Sequence, residues 1–169
     1  MREPPRPTRG SSSAASDVCT RQAVHLADQP VLRADENGPL ALVLVPTREL
    51  AIQVQKQAKP MLAAVQCTCK VVIGGQGKYI LQQELKRSGG VELVVATPGR
   101  LLDTLSDKKG LSLRRVTFLV LDEADKMLQM GFEAQVRQIL SQIRRDRQTL
   151  LLSATMGRRM ETVAAEWLQ

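Results

Sequence analysis

Five short apolar runs, each followed by sequence of helical period, constrain this 169-residue chain more than any other feature. They read LALVLV (40–45), KVVI (70–73), ELVVA (92–96), VTFLVL (116–121) and TLLLS (149–153). None alternates apolar with polar residues, so each strand must be buried on both faces, as in a parallel sheet covered by helices. Helical spacing follows over 47–61, 78–88, 98–105, 123–128 with 132–145, and 158–168. Gly89 and Gly90 stop the second helix, and Pro98 opens the third, where its missing N–H costs nothing. The expectation is an α/β fold, a mostly parallel sheet with helices on both faces. An apolar content of 43% suffices for one core of this size.

Residues 1–22 read differently. The opening MREPPRPTRGSSSAAS is rich in Pro, Arg and Ser and cannot bury a core, which makes 1–22 a disordered or foreign arm ahead of a domain over 23–169. It lacks the apolar stretch of a secretory signal, while its Arg and Ser with few acids also fit a transit peptide. No apolar run reaches the roughly 18 residues that a membrane-crossing helix needs.

The balance of 24 basic to 17 acidic side chains, net +7, suits either a polyanionic partner or a solvated basic surface. Tyr79, Phe118, Phe132 and Trp167 are the only aromatic residues, too few for a base-stacking platform. A nucleic-acid partner would then be held by its phosphates. Cys19, Cys67 and Cys69 form no Cys-x-x-Cys pair, which leaves too few ligands for a closed zinc site and fits a reduced intracellular compartment, nucleus or cytoplasm. His25 is the sole histidine, so no His-based triad or multi-histidine metal site can be assembled.

Ligands of a parallel sheet gather beyond the carboxyl ends of its strands, where this chain reads PTREL, GGQGK, TPGR, DEAD and SAT. The glycines of GGQGK imitate a phosphate cradle without its chemistry. Gly77-Lys78 is followed by Tyr79 instead of a hydroxyl residue, and the position five before Gly77 is Val72. The dinucleotide pattern fails too, since Ile80 stands three residues after Gly77. Asp122 and Glu123 end an apolar strand, an arrangement that suits Mg²⁺ on the aspartate and a water oriented by the glutamate, and equally two acids favoured by a helix dipole. PTREL and TPGR each bring Thr and Arg to a helix start, as phosphate clamps or as plain N-caps. Ser153 and Thr155 read as cap residues or as hydroxyl partners for Asp125.

In chain order PTRELA (46–51), GG (74–75), TPGR (97–100), DEAD (122–125) and SAT (153–155) resemble the motif series of the first RecA-like domain of DEAD-box ATP-dependent RNA helicases. MGFE (130–133) and QTLLLSAT (148–155) are similar to that family as well. The resemblance covers roughly residues 23–169. It implies a RecA-like fold of the P-loop NTPase type, ATP and Mg²⁺ as cofactors, Asp122 as the residue that holds the metal, and Glu123 as the catalytic base. It also implies that Asp125, Ser153 and Thr155 complete the nucleotide side and couple hydrolysis to closure. Pro46, Thr47, Arg48, Gly75, Thr97, Gly99 and Arg100 would grip single-stranded or duplex RNA along its sugar-phosphate backbone, and a second RecA-like domain would be the partner.

This sequence departs from the family where the ATP cradle is due, at 11–16, which reads SSSAAS. The glutamine motif that precedes the cradle and the second domain have no counterpart either. The expectation is therefore a partial domain over 23–169 without its Walker A loop, truncated at both ends and inactive alone. The alternative is a non-catalytic RNA- or partner-binding module derived from a helicase domain.

Overall fold

The structure, a computed structural model, describes residues 38–75, 91–106 and 111–168. Its strands are β1 (Ala41–Leu44), β2 (Cys69–Val72), β3 (Leu93–Ala96), β4 (Phe118–Leu121) and β5 (Gln148–Leu151). All pair in parallel, in the order β2-β3-β1-β4-β5. From β1 the chain runs to the edge strand β2, returns to lay β3 between the two, and then crosses β1 to build β4 and β5 on the other side. The helices are α1 (Arg48–Ala64), α2 (Pro98–Leu105), α3 (Ala124–Gln129), α4 (Glu133–Leu140) and α5 (Arg158–Trp167). The helix expected over 78–88, the Gly89-Gly90 stop and the arm over 1–22 lie outside the described residues.

Every residue of β1, β3 and β4 is buried, which is why these runs show no polar alternation. Leu42, Leu44, Val94, Leu119 and Leu121 face one core with Leu101, Met127, Ile139 and Trp167 from the later helices. Val43, Leu93, Val95, Phe118 and Val120 face the other, with Ala51, Val54, Ala58 and Leu62 of α1. Helices thus cover both faces, as the strand pattern requires. β5 is the exception: Gln148 is exposed, its other residues are half-buried, and among the described residues it pairs with β4 alone.

Three helix boundaries differ from the sequence reading. α1 continues to Ala64 with Pro60 inside it, because a proline this near the end removes one backbone bond without stopping the last turn. α3 begins at Ala124, since Glu123 sits in the left-handed region (φ 51°) and cannot be helical. α4 stops at Leu140 instead of running to 145. Gln142 and Ile143 donate to the carbonyls of Ile139 and Leu140 three residues back, and the Ser141 hydroxyl binds Gln138. The residues after this tightened turn carry the chain back to β5, where the Gln148 N–H reaches the Thr117 carbonyl at 2.8 Å. Among the described residues no helix is long and apolar enough to cross a membrane.

Candidate nucleotide and nucleic-acid edge

The sheet order sorts the motifs. Beyond the carboxyl ends of β2, β3 and β1, in that order across the sheet, come Gly74-Gly75, Thr97–Arg100 and Pro46–Arg48. Beyond β4 and β5 come Asp122–Asp125 and Ser153–Thr155. The three motifs that come first in the chain therefore form a hydroxyl-and-cation sector and the two that follow form a carboxylate sector, meeting between β1 and β4, where the strand order reverses.

In the carboxylate sector the Asp122 N–H donates to Leu44 of β1, and its Oδ1 accepts the Glu123 N–H at 3.0 Å. Burial raises the Asp122 carboxyl above its ordinary value, the Glu123 N–H opposing and the Glu123 charge adding to the rise. Glu123 projects from its left-handed backbone and pairs with Lys126 at 3.3 Å. A non-glycine residue in that region stores strain, a common property of reacting groups. Asp125 reaches across to the loop after β5, its Oδ2 accepting from the Thr155 hydroxyl at 2.7 Å and the Thr155 N–H at 3.1 Å. Slight burial would raise this carboxyl, but the Thr155 hydroxyl and backbone donors outweigh it and hold it below the ordinary value. The Ser153 hydroxyl donates to the Thr155 carbonyl at 2.6 Å instead of to Asp125 and fixes the loop.

In the other sector two identical-looking helix starts behave differently. Thr47 is a plain N-cap, its hydroxyl accepting from Leu50 N–H at 3.3 Å. Thr97 caps α2 with backbone alone and leaves its hydroxyl without a capping bond. Pro46 is buried and Arg48 exposed. The Arg48 guanidinium lies over Gly75, where an added Cβ would stand 2.7 Å from it, and Gly75 has a positive φ of 83°. Gly99 has nothing within 4 Å of where its Cβ would be. Arg100 is half-buried and its carbonyl accepts from Thr104 at 2.9 Å.

Sequence reasoning missed the Arg48 and Gly75 contact, which joins residues from separate motifs. It also missed the ion pairs that tie α4 to α5: Glu133 with Arg159 at 2.8 Å, and Arg137 with Glu166 at 2.6 Å. Only the pairing of Glu133 with Arg137, four residues apart, carries a signal in the sequence. Among the described residues no group of three or more His, Cys, Asp or Glu is placed to hold a metal, so Asp122 would share an ion with a ligand's own oxygens.

Residues 20–163 match the DEAD/DEAH box helicase family. The chain belongs to that family. It is 52% identical over 145 residues to the probable ATP-dependent RNA helicase ddx17 of Dictyostelium discoideum, covering 86% of this chain and 18% of that protein. DEAD-box ATP-dependent RNA helicase 30 of Arabidopsis thaliana is 51% identical, with 86% and 24% covered. ATP-dependent RNA helicase DBP2 of Gibberella zeae is 49% identical, with 89% and 26% covered. The chain thus spans about a quarter or less of these relatives. The crystal structure of the yeast DEAD-box splicing factor Prp28 superposes with a TM-score of 0.85 at 32% identity, covering 96% of this chain and 38% of that one. That likeness, with the parallel order of the sheet, makes the fold RecA-like.

Proposed function

We propose that this DEAD-box chain is part of the first RecA-like domain of an ATP-dependent RNA helicase, working within the nucleus or cytoplasm, with 23–169 forming the partial domain and 1–22 an arm. The observation that supports this best is the parting of the motif residues into two sectors that meet at the strand-order reversal. Bound ATP, with Mg²⁺, supplies the anhydride whose cleavage powers the cycle. Asp122 would hold the ion through its carboxylate. Glu123 lies beside it with a carboxylate able to take the proton from an attacking water. The bond from Asp125 to Thr155 joins the carboxylate loop to the loop that leads into α5, so a change at one is felt at the other, and a second RecA-like domain closing on this edge completes the site.

On the RNA side Arg48 and Arg100 meet phosphates, the Thr97 hydroxyl is a donor not engaged in capping, and Gly75 and Gly99 let a sugar-phosphate backbone come close. A second reading, a non-catalytic RNA- or partner-binding module, is favoured by one feature: no Gly-x₄-Gly-Lys-Ser/Thr cradle occurs in the 169 residues. Both readings require the RNA sector. Anisotropy of a labelled oligouridylate titrated over a salt series tests it. For single strands log K falls by about 0.7 per neutralised phosphate per decade of salt, so Arg48→Ala and Arg100→Ala should each flatten the slope by up to about that amount. Binding and slope unchanged in both variants would sink the assignment.

A further inference from the structure

The loops at the opposite, amino-terminal end of the sheet carry none of the motif residues. They hold arginines in two runs, Arg114-Arg115 ahead of β4 and Arg144, Arg145 and Arg147 ahead of β5. Because β4 and β5 are adjacent and parallel, with Phe118 opposite Gln148, both runs come to the same end of the molecule. Two depressions lie there against the end of α4, and they share Ser141. One of about 500 Å³ is lined by Leu111 and Arg114 among others, and one of about 330 Å³ by Leu140, Ile143 and Arg145 among others.

The lining mixes aliphatic with polar side chains, and arginines stand at its rim. Leu111 and Leu140 are half-buried at the margin of the core, with Ile143 beneath. Arg114 and Arg145 are exposed, and neither makes an ion pair among the described residues. Among the described residues, the acids beside the groove are paired, Glu166 with Arg137 at 2.6 Å and Asp146 with Arg144. We infer that this groove docks an acidic amphipathic segment of a partner protein, aliphatic side chains against Leu111 and Leu140 and carboxylates on Arg114 and Arg145. The aliphatic part of the lining favours a peptide over a nucleic acid. A phosphate backbone gains nothing from aliphatic surface, and bases need aromatic faces, of which the groove has none, whereas alternate apolar side chains of a peptide are what such a surface covers. Arginine matches carboxylates with its planar fork. Lying at the far end of the strands from Asp122 and Thr97, the groove can hold a partner without competing for nucleotide or RNA, and the inference does not depend on either.

The test is anisotropy of the full chain with a labelled synthetic peptide of about 12 residues, leucines at helical spacing and glutamates between them. Saturable binding is expected, weakened roughly tenfold in the Arg114→Glu/Arg145→Glu double variant and weakened by raised salt. On the unaltered chain, a peptide with every leucine replaced by serine should bind roughly tenfold more weakly, which tests the aliphatic part of the lining without altering the protein. Unlabelled oligouridylate should leave the complex in place. Equal affinity of the double variant, or of the serine peptide, overturns the inference. Displacement by oligouridylate that disappears in the double variant would also overturn it and assign the groove to nucleic acid.

Discussion

At Asp122 burial favours the protonated carboxyl, so its folded value lies above the unfolded one of about 3.9. A carboxyl raised in this way contributes stability below its unfolded value and loses it as pH rises through the folded value; at neutral pH its charge opposes folding. Asp122→Asn keeps the oxygen that accepts the Glu123 N–H and removes the buried charge, so its melting temperature should exceed the parent's at pH 7, with the gain shrinking as the pH falls toward about 4. Thermal melts across that range check it, and a lower melting temperature at pH 7 would mean that the carboxylate is stabilised in a way the burial argument omits. The two glycines of the other sector separate in the same manner. Gly75 has a left-handed backbone with Arg48 over it, so Gly75→Ala should cost about 1–2 kcal/mol and displace that guanidinium. Gly99 is helical, with open space before it, so Gly99→Ala should raise stability by up to about 1 kcal/mol. If RNA passes over α2 at this point, the same methyl weakens binding. Chemical denaturation together with RNA titration of both variants reads the contrast, and an unstable Gly99→Ala would show that the fold itself needs the glycine.

Between elements, the bond from Asp125 at the start of α3 to Thr155 after β5 joins loops that are adjacent only because β4 and β5 pair. Thr155→Val removes the hydroxyl and keeps the N–H bond, so a loss of about 0.5–1 kcal/mol is expected at this exposed site. The Asp125 carboxyl lies below its ordinary value, so its contribution is present above about 3.9 and is lost as pH falls through the lower folded value. The gap between parent and variant in thermal melts should therefore close in acid; a constant gap from pH 7 to pH 2 would assign the loss to packing. How much of this was legible depended on which forces were local. Strands buried on both faces must be apolar throughout, so β1, β3 and β4 stand out in the sequence, and the hydroxyl partner of Asp125 was readable from two motifs at neighbouring strand ends. Thr47 and Thr97 look alike in sequence yet only Thr47 caps with its side chain, because a cap depends on a rotamer and not on residue type. The early end of α4 and the left-handed Glu123 follow from where the chain must go next, which propensity does not encode. The contact of Arg48 with Gly75 needed the sheet order.

Across the whole molecule, the edge holds a carboxylate pair and a hydroxyl-and-cation sector, but the groups that neutralise a triphosphate are not among its motifs. Phosphoryl transfer depends on positioning and charge stabilisation more than on covalent chemistry, and an arginine finger alone is worth roughly 10³–10⁵ in rate. These 169 residues contain no Gly-x₄-Gly-Lys-Ser/Thr segment, and they match only about a quarter or less of the length of their relatives. Asp122 and Glu123 can act only on phosphates that something else holds. Purified chain supplied with saturating Mg·ATP and RNA should therefore release phosphate no faster than its Glu123→Gln variant, even where it binds RNA. Appending a cradle and a second RecA-like domain should restore RNA-stimulated release, which Glu123→Gln then abolishes while nucleotide still binds. Release by the 169-residue chain above the Glu123→Gln control would mean that this edge holds the triphosphate by itself, and the division between a charged half and its missing clamp would be wrong.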